Sequence, residues 1–292
     1  MEELNENIET LTETEKIIEN ESELKSESYE DTVIKDYFLK ETGLTSKEMA
    51  ILFGQSEEEI SKEFGVYKAK KLYQKMDYLI IDSGLTQTEF SKKCQISEKH
   101  GFKSVTVLPT FVGLAKDLLG IKNISVRALI SYPFGEDLPK VKYYAVKNSL
   151  KLGADAFLVC VSTSQVKSGD YKGVCKEFKR IIKICKKKPV TAVLDESKLS
   201  QLEIEKCAKI LSKETKIHSV MPADLIESSK FNAQTVKSVL LAVDGKCHVE
   251  SGGKIQSAMD TVAVLNAGAN AITSSKCPEI AEELNMKIMS GV

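Results

Sequence analysis

From Met76 onward the chain repeats one unit, a short apolar run followed by a turn and a longer amphipathic stretch. The runs cover residues 78–81, 104–108, 124–130, 156–161, 190–194, 217–221, 247–249 and 270–273. Most are continuous and rich in β-branched residues rather than alternating. That is the pattern of parallel strands covered on both faces. Three of the amphipathic stretches open on a capping box: Thr86 with Glu89, Ser200 with Glu203, and Ser257 with Asp260. Eight strands alternating with helices across residues 76–292 predict an α/β fold, a (β/α)8 TIM barrel. A doubly wound open sheet is the weaker alternative, because no Gly-x-Gly-x-x-Gly follows the first strand.

The region before the barrel has a different composition. Residues 1–35 hold 12 Asp/Glu and 3 Lys/Arg, a net charge of −9, against −1 for the whole chain. The remainder therefore carries +8. So acidic and apolar-poor a segment cannot bury enough surface to offset ordering, and it is expected to be a flexible tail. Residues 36–75 carry two further capping patterns, Thr45-Ser46-Lys47-Glu48 and Ser56-Glu57-Glu58-Glu59, each followed by a short amphipathic run. They predict a small helical module with a third helix near residues 67–73. Its outline resembles a helix-turn-helix. Three glutamates opening the second helix would repel a phosphate backbone, so the reading argues against nucleic acid. A module that packs on the barrel, on a protein partner or on a second copy of the chain is preferred.

No apolar run reaches the ~18–20 residues of a membrane span. The seven cysteines are scattered without a Cys-x-x-Cys, and there are three histidines. They are expected to be reduced thiols in a cytoplasmic protein, with no metal site and no cofactor.

The last unit is the most informative. Cys247-His248-Val249-Glu250-Ser251-Gly252-Gly253 leads through a helical run at 257–266 to a second strand ending in Ser274-Ser275. In a β/α barrel the loops after the last two strands are the usual phosphate site. Ser251, Gly252, Gly253, Ser274 and Ser275 are the phosphate-binding candidates. The plainer alternative is a glycine turn and serine caps.

The order of motifs resembles the deoxyribose-phosphate aldolase family. The carriers are 76–86 (Met-Asp-Tyr-Leu-Ile-Ile-Asp-Ser-Gly-Leu-Thr), 101–109 (Gly-Phe-Lys-Ser-Val-Thr-Val-Leu-Pro), Tyr132-Pro133-Phe134-Gly135, Gly153-Ala154-Asp155, 167–171 (Lys-Ser-Gly-Asp-Tyr), and the Gly-Gly and Ser-Ser ends. The resemblance covers residues 76 to about 282 and leaves the first 75 outside. It implies a class I aldolase barrel, in which a strand-six lysine forms a Schiff base with an aldehyde. Such an amine needs a lowered pKa, from burial or a second cation.

At the matching positions those groups are missing. The strand-six lysine falls on Met221, which has no amine. The second lysine, on strand seven, falls on Glu250, or on Val249. The acid/base aspartate of strand four falls on Leu158, and the asparagine of strand two on Leu108. Asp77 and Asp195 persist. Lys198 and Lys254, near the expected mouth, are candidates for a displaced nucleophile, although solvent-exposed loop lysines are the blander reading. Asp77, Asp195, Asp224, Glu250 and His248 could form an acidic mouth that binds a metal, but their separation in sequence gives no ligand spacing. The catalytic candidates are thus Asp77, Asp195, Lys198, Glu250 and Lys254. The sequence favours a non-catalytic, aldolase-like binder of a small phosphorylated metabolite or a protein partner. A lyase with a relocated lysine is the alternative, and an interaction or DNA-binding protein acting through residues 36–75 is the second.

Overall fold

The structure is a computed structural model that describes residues 70–226, 232–253 and 255–289. The acidic segment and all of the expected helical module up to residue 69 lie outside the described residues. Residues 70–73 are helical and lead directly into the barrel.

Eight strands follow in order: β1 (Met76–Ile80), β2 (Ser104–Val107), β3 (Ser125–Ile130), β4 (Ala156–Cys160), β5 (Val190–Asp195), β6 (Ser219–Ala223), β7 (His248–Gly252) and β8 (Ala271–Ser274). All pair in parallel with their sequence neighbours, and β1 pairs with β8 through Met76↔Ile272, Asp77↔Thr273 and Tyr78↔Ser274. The barrel is closed. The helices between the strands are α1 (Gln87–His100), α2 (Val112–Leu119), α3 (Pro139–Lys151), α4 (Thr163–Lys167), α5 (Tyr171–Cys185), α6 (Gln201–Glu214), α7 (Ala233–Val243) and α8 (Ala258–Asn266), with α9 (Cys277–Met289) after β8. All three barrel capping boxes form, at the starts of α1, α6 and α8.

Side-chain alternation divides the apolar residues into two clusters. Outward residues such as Val105, Val126, Phe157, Ala192, Val220 and Val249 join the layer beneath the helices. Inward residues Leu79, Leu129, Leu158, Val193 and Met221 form a separate cluster inside the barrel. That division follows from strand geometry, which sends successive side chains to opposite faces.

Strands β6 and β7 run furthest past their expected ends. Strand β6 continues through Pro222 to Ala223. The ladder to β7 pairs Val220 with Val249 and then Ala223 with Gly252, skipping Pro222, which has no N–H to give. Strand β7 runs to Gly252, so the first glycine belongs to the strand rather than to a turn. His248 is exposed at the start of β7. Its ring lies tilted by 55° to that of His218, with centroids 5.1 Å apart.

Candidate functional site

The barrel interior is built in two tiers of opposite character. The lower tier lies at the N-terminal ends of the strands and is polar. Asp77 on β1 is fully buried. It accepts hydrogen bonds from Ser104 Oγ and Thr106 Oγ1, both at 2.6 Å, and from Thr273 Oγ1 at 3.0 Å. Glu250 on β7 accepts from Ser219 Oγ at 2.6 Å and Thr191 Oγ1 at 3.1 Å. Arg127 on β3 ties the two carboxylates together, with Nη2 2.8 Å from Glu250 and Nη1 3.3 Å from Asp77. Burial pushes the Glu250 carboxyl up. Arg127 and the Ser219 hydroxyl outweigh that and hold it below the ordinary glutamate range. Every charge in this tier has a partner, as burial requires.

The upper tier is apolar. Leu79, Leu129, Leu158, Val193 and Met221 fill it, with Cys160, Ala223 and Leu225 above. Burial pushes the Cys160 thiol up to about 12, so it is no thiolate nucleophile near neutral pH. Met221 is fully buried. A Cβ built on Gly252 would meet its Sδ at 3.2 Å and Cε at 3.3 Å. The thioether therefore fills the space that Gly252 leaves beside β7. Between the ends of β4, β5 and β6 the cavity is only about 10 Å³. That is room for about one water molecule.

Around this opening the charges are acidic. Asp195 accepts from the Ser197 amide at 2.9 Å and hydroxyl at 2.6 Å. Its neighbour Glu196 is pushed up to about 7, first by burial and then by Asp224 and Asp195, against a backbone hydrogen bond from Asn232. Among the described residues no three His, Cys, Asp or Glu side chains converge as metal ligands. Lys198 is exposed to solvent. Lys254 lies outside the described residues.

The weighed acidic mouth does not assemble. Asp195 and Asp224 are at the C-terminal end of the barrel, whereas Asp77, Glu250 and His248 belong to the opposite end. The uncertainty over the strand-seven position resolves by direction: Val249 packs outward and Glu250 points in.

The turns that carry the phosphate candidates lie side by side at the ends of β7 and β8, where Gly252 pairs with Thr273. The Ser274 hydroxyl donates to the Ile255 carbonyl at 2.7 Å, joining the turns after β7 and β8. It also accepts from the Lys276 amide at 3.0 Å. Ser251 is buried within β7, and Ser275 is half-buried. Gly253 has φ +110°, and an added Cβ would lie 2.8 Å from the Asp224 carbonyl oxygen. Glycine is required there both by backbone angle and by the neighbouring chain.

Sequence reasoning missed Arg127, with its hydroxyl partner Thr191, and the hydroxyls that hold the two carboxylates: Ser104, Thr106 and Thr273 on Asp77, and Ser219 on Glu250. One signal was available. Arg127 is one of only two arginines in the chain and interrupts an otherwise apolar strand.

No family model matches the chain. Among curated proteins, it is 29% identical over 218 residues to a deoxyribose-phosphate aldolase of a Thermoanaerobacter species, covering 74% of this chain and 97% of the relative. It is 25% identical over 210 residues to the deoxyribose-phosphate aldolase of Mycoplasma capricolum, covering 72% and 94%. Among solved structures, it superposes on an aldolase called QR15 with a TM-score of 0.72, at 22% identity over 75% of this chain and 98% of that one. The deoxyribose phosphate aldolase of Aeropyrum pernix, described as tetrameric, gives 0.65 at 18% identity, over 80% and 98%. The structural likenesses carry the barrel fold. The sequence likeness spans nearly the whole of those relatives, so the barrel part of this chain is similar to deoxyribose-phosphate aldolases, and about a quarter of the chain lies outside the likeness.

Proposed function

We propose that this aldolase-like barrel has given up imine chemistry and acts by binding. One observation carries the reading. The strand-six position holds Met221, fully buried, with its thioether packed into the space beside Gly252. A carbinolamine needs an amine and room for the aldehyde. A thioether is no such nucleophile, and the cavity at the ends of β4, β5 and β6, walled by the Cys160, Val193 and Ala223 of the same apolar cluster, is about 10 Å³. Leu158 and Glu250 remove the acid/base carboxylate and the second cation that the family resemblance calls for.

Gly253 and Ser275 follow the ends of β7 and β8, and the Ser274 hydroxyl donates to the Ile255 carbonyl between the two turns. A small phosphorylated metabolite is the ligand class that outline suits. A protein partner is the other occupant consistent with loss of chemistry. The second reading, a lyase with a relocated lysine, draws on the names of the relatives. Lys198 is exposed to solvent, outside the apolar interior of the barrel.

The test is reductive trapping. Full-length protein incubated with deoxyribose 5-phosphate and borohydride is expected to keep its mass. An adduct mapped to Lys198 or Lys254 would reverse the conclusion in favour of the lyase. Loss of deoxyribose 5-phosphate binding in Gly253→Val, with the fold retained by circular dichroism, would support the phosphate rim.

A further inference from the structure

The end of the barrel opposite the mouth carries an unused basic cavity. Three successive loops line it: α5–β5 with Lys186, Lys187 and Lys188, α6–β6 with Lys216 and His218, and α7–β7 with Lys246 and His248. Its volume is about 490 Å³. Lys216-Ile217-His218 and Lys246-Cys247-His248 repeat one pattern on neighbouring strands, and the His248 amide donates to the His218 carbonyl at 3.0 Å. Two of the five lysines have carboxylate partners: Lys188 with Asp155 at 3.3 Å and Lys246 with Asp244 at 3.0 Å. Lys186, Lys187 and Lys216 have none among the described residues. A concave surface with this excess of ammonium groups suits a polyanion.

We propose that its occupant is the chain's own acidic segment, residues 1–35. Charge is the first argument, since that segment carries −9 and the rest of the chain +8. Position is the second. The described chain begins at Lys70 and enters β1 from the N-terminal end of the barrel, the end where the cavity opens. The Lys103 amide there bonds the Tyr73 and Met76 carbonyls, each at 3.1 Å. Reach is the third. The 35 residues of the acidic segment span ~30 Å as a flexible chain, enough to cross the base of a barrel even where residues 36–69 form the expected helices. Tethering supplies an effective concentration on the order of millimolar, so weak carboxylate–ammonium pairs suffice without a buried contact. An external polyanion such as a nucleic acid or a polyphosphate has to displace this segment.

Carbodiimide cross-linking of the full chain tests the docking, because it joins only carboxylates and amines already in contact. A mixture of light and nitrogen-15-labelled protein separates links within one chain from links between chains. Links from residues 1–35 are expected within one chain, to Lys186, Lys187, Lys188, Lys216 and Lys246, and to fade in high salt. The exposed Lys140 and Lys147 on α3 are the controls. Links spread evenly over controls and cavity, or only between chains, would overturn the proposal. A second measurement uses tripolyphosphate as probe. With the acidic residues of 1–35 changed to their amides, the chain is expected to bind it about tenfold more tightly than the unaltered chain, since the tethered competitor is gone. Lys187→Glu with Lys216→Glu, both exposed positions, is expected to abolish that gain. Equal binding by the amide variant and the unaltered chain would assign the cavity to an external anion and defeat the proposal.

Discussion

Met221 decides the chemistry at the residue scale, and its surroundings decide what replacing it does. The sequence was enough to see that no amine stands there, because side-chain identity needs no coordinates. That the thioether closes the space over Gly252 was not legible, since it depends on which rotamer the barrel's curvature permits. Restoring a lysine does not restore a site. Met221→Lys puts an ammonium among Leu79, Leu129, Leu158 and Val193 with no anion placed for it. It is expected to cost on the order of 3–5 kcal/mol at pH 7 by urea unfolding, as for an unpaired buried charge, whereas Met221→Leu costs less than ~1.5 kcal/mol. Burial lowers that lysine's pKa, so the deficit is present at neutral pH and shrinks towards pH 10. Glu196 gives the converse pH test at the mouth. Its folded-state pKa is about 7, above the ordinary 4.5. A carboxyl raised by folding favours the fold below the unfolded value, and that stability is lost as pH rises through 7. Glu196→Gln removes the penalty while keeping an acceptor for the Asn232 amide. The variant is expected to match the parent at pH 4 and to exceed it by about 1–3 kcal/mol at pH 8, the upper figure following from the shift.

Among the elements, strands were the most legible and their ends the least. Continuous apolar runs placed all eight, because a parallel strand buried on both faces leaves no polar position to mistake. The ends of β6 and β7 were misjudged for local reasons. Pro222 and Gly252 are strand breakers by propensity, and the closed ladder tolerates both: Pro222 at a skipped rung, Gly252 where Met221 supplies the missing bulk. The polar floor was illegible as a unit. Its members come from strands scattered along the chain, and only the barrel's register brings Arg127 between Asp77 and Glu250. The helix layer hides a second such pair. Lys142 on α3 is buried with its Nζ 2.8 Å from Glu177 on α5 and 3.3 Å from the Cys160 carbonyl. Neither residue stands out in helices so rich in lysine. Removing either partner strands the other, so Lys142→Met and Glu177→Leu are each expected to cost about 3–5 kcal/mol. The double variant is expected to recover most of the loss, because two apolar groups replace a pair that stabilises little beyond its own desolvation. Chemical unfolding of all four proteins in one double-mutant cycle measures the coupling, and simple additivity would refute it.

At the scale of the whole molecule the barrel must close, and a single tyrosine helps to hold the closure. Strand β1 has to pair with β8, nearly two hundred residues later, so the folded state depends on contacts far apart in sequence. Tyr73 sits just before β1. Its hydroxyl lies 3.1 Å from the Ala281 carbonyl and 2.9 Å from the Asn285 side-chain oxygen, both on α9. Its ring meets Phe102 edge-on at 6.0 Å, and its carbonyl accepts from the Lys103 amide. It therefore fastens the entry of the barrel to the last helix and to β2 at once. The cost of losing each part differs. Tyr73→Phe keeps the ring and loses one hydrogen bond, and Asn285 is exposed enough for water to replace it, so about 1 kcal/mol is expected. Tyr73→Ala also removes a buried ring, and about 3–5 kcal/mol is expected. The closed barrel has no edge at which to open partway, so both variants should lower the urea midpoint with an unchanged slope. A reduced slope for Tyr73→Ala would mean that α9 and β8 come away before the rest, and that closure is held elsewhere.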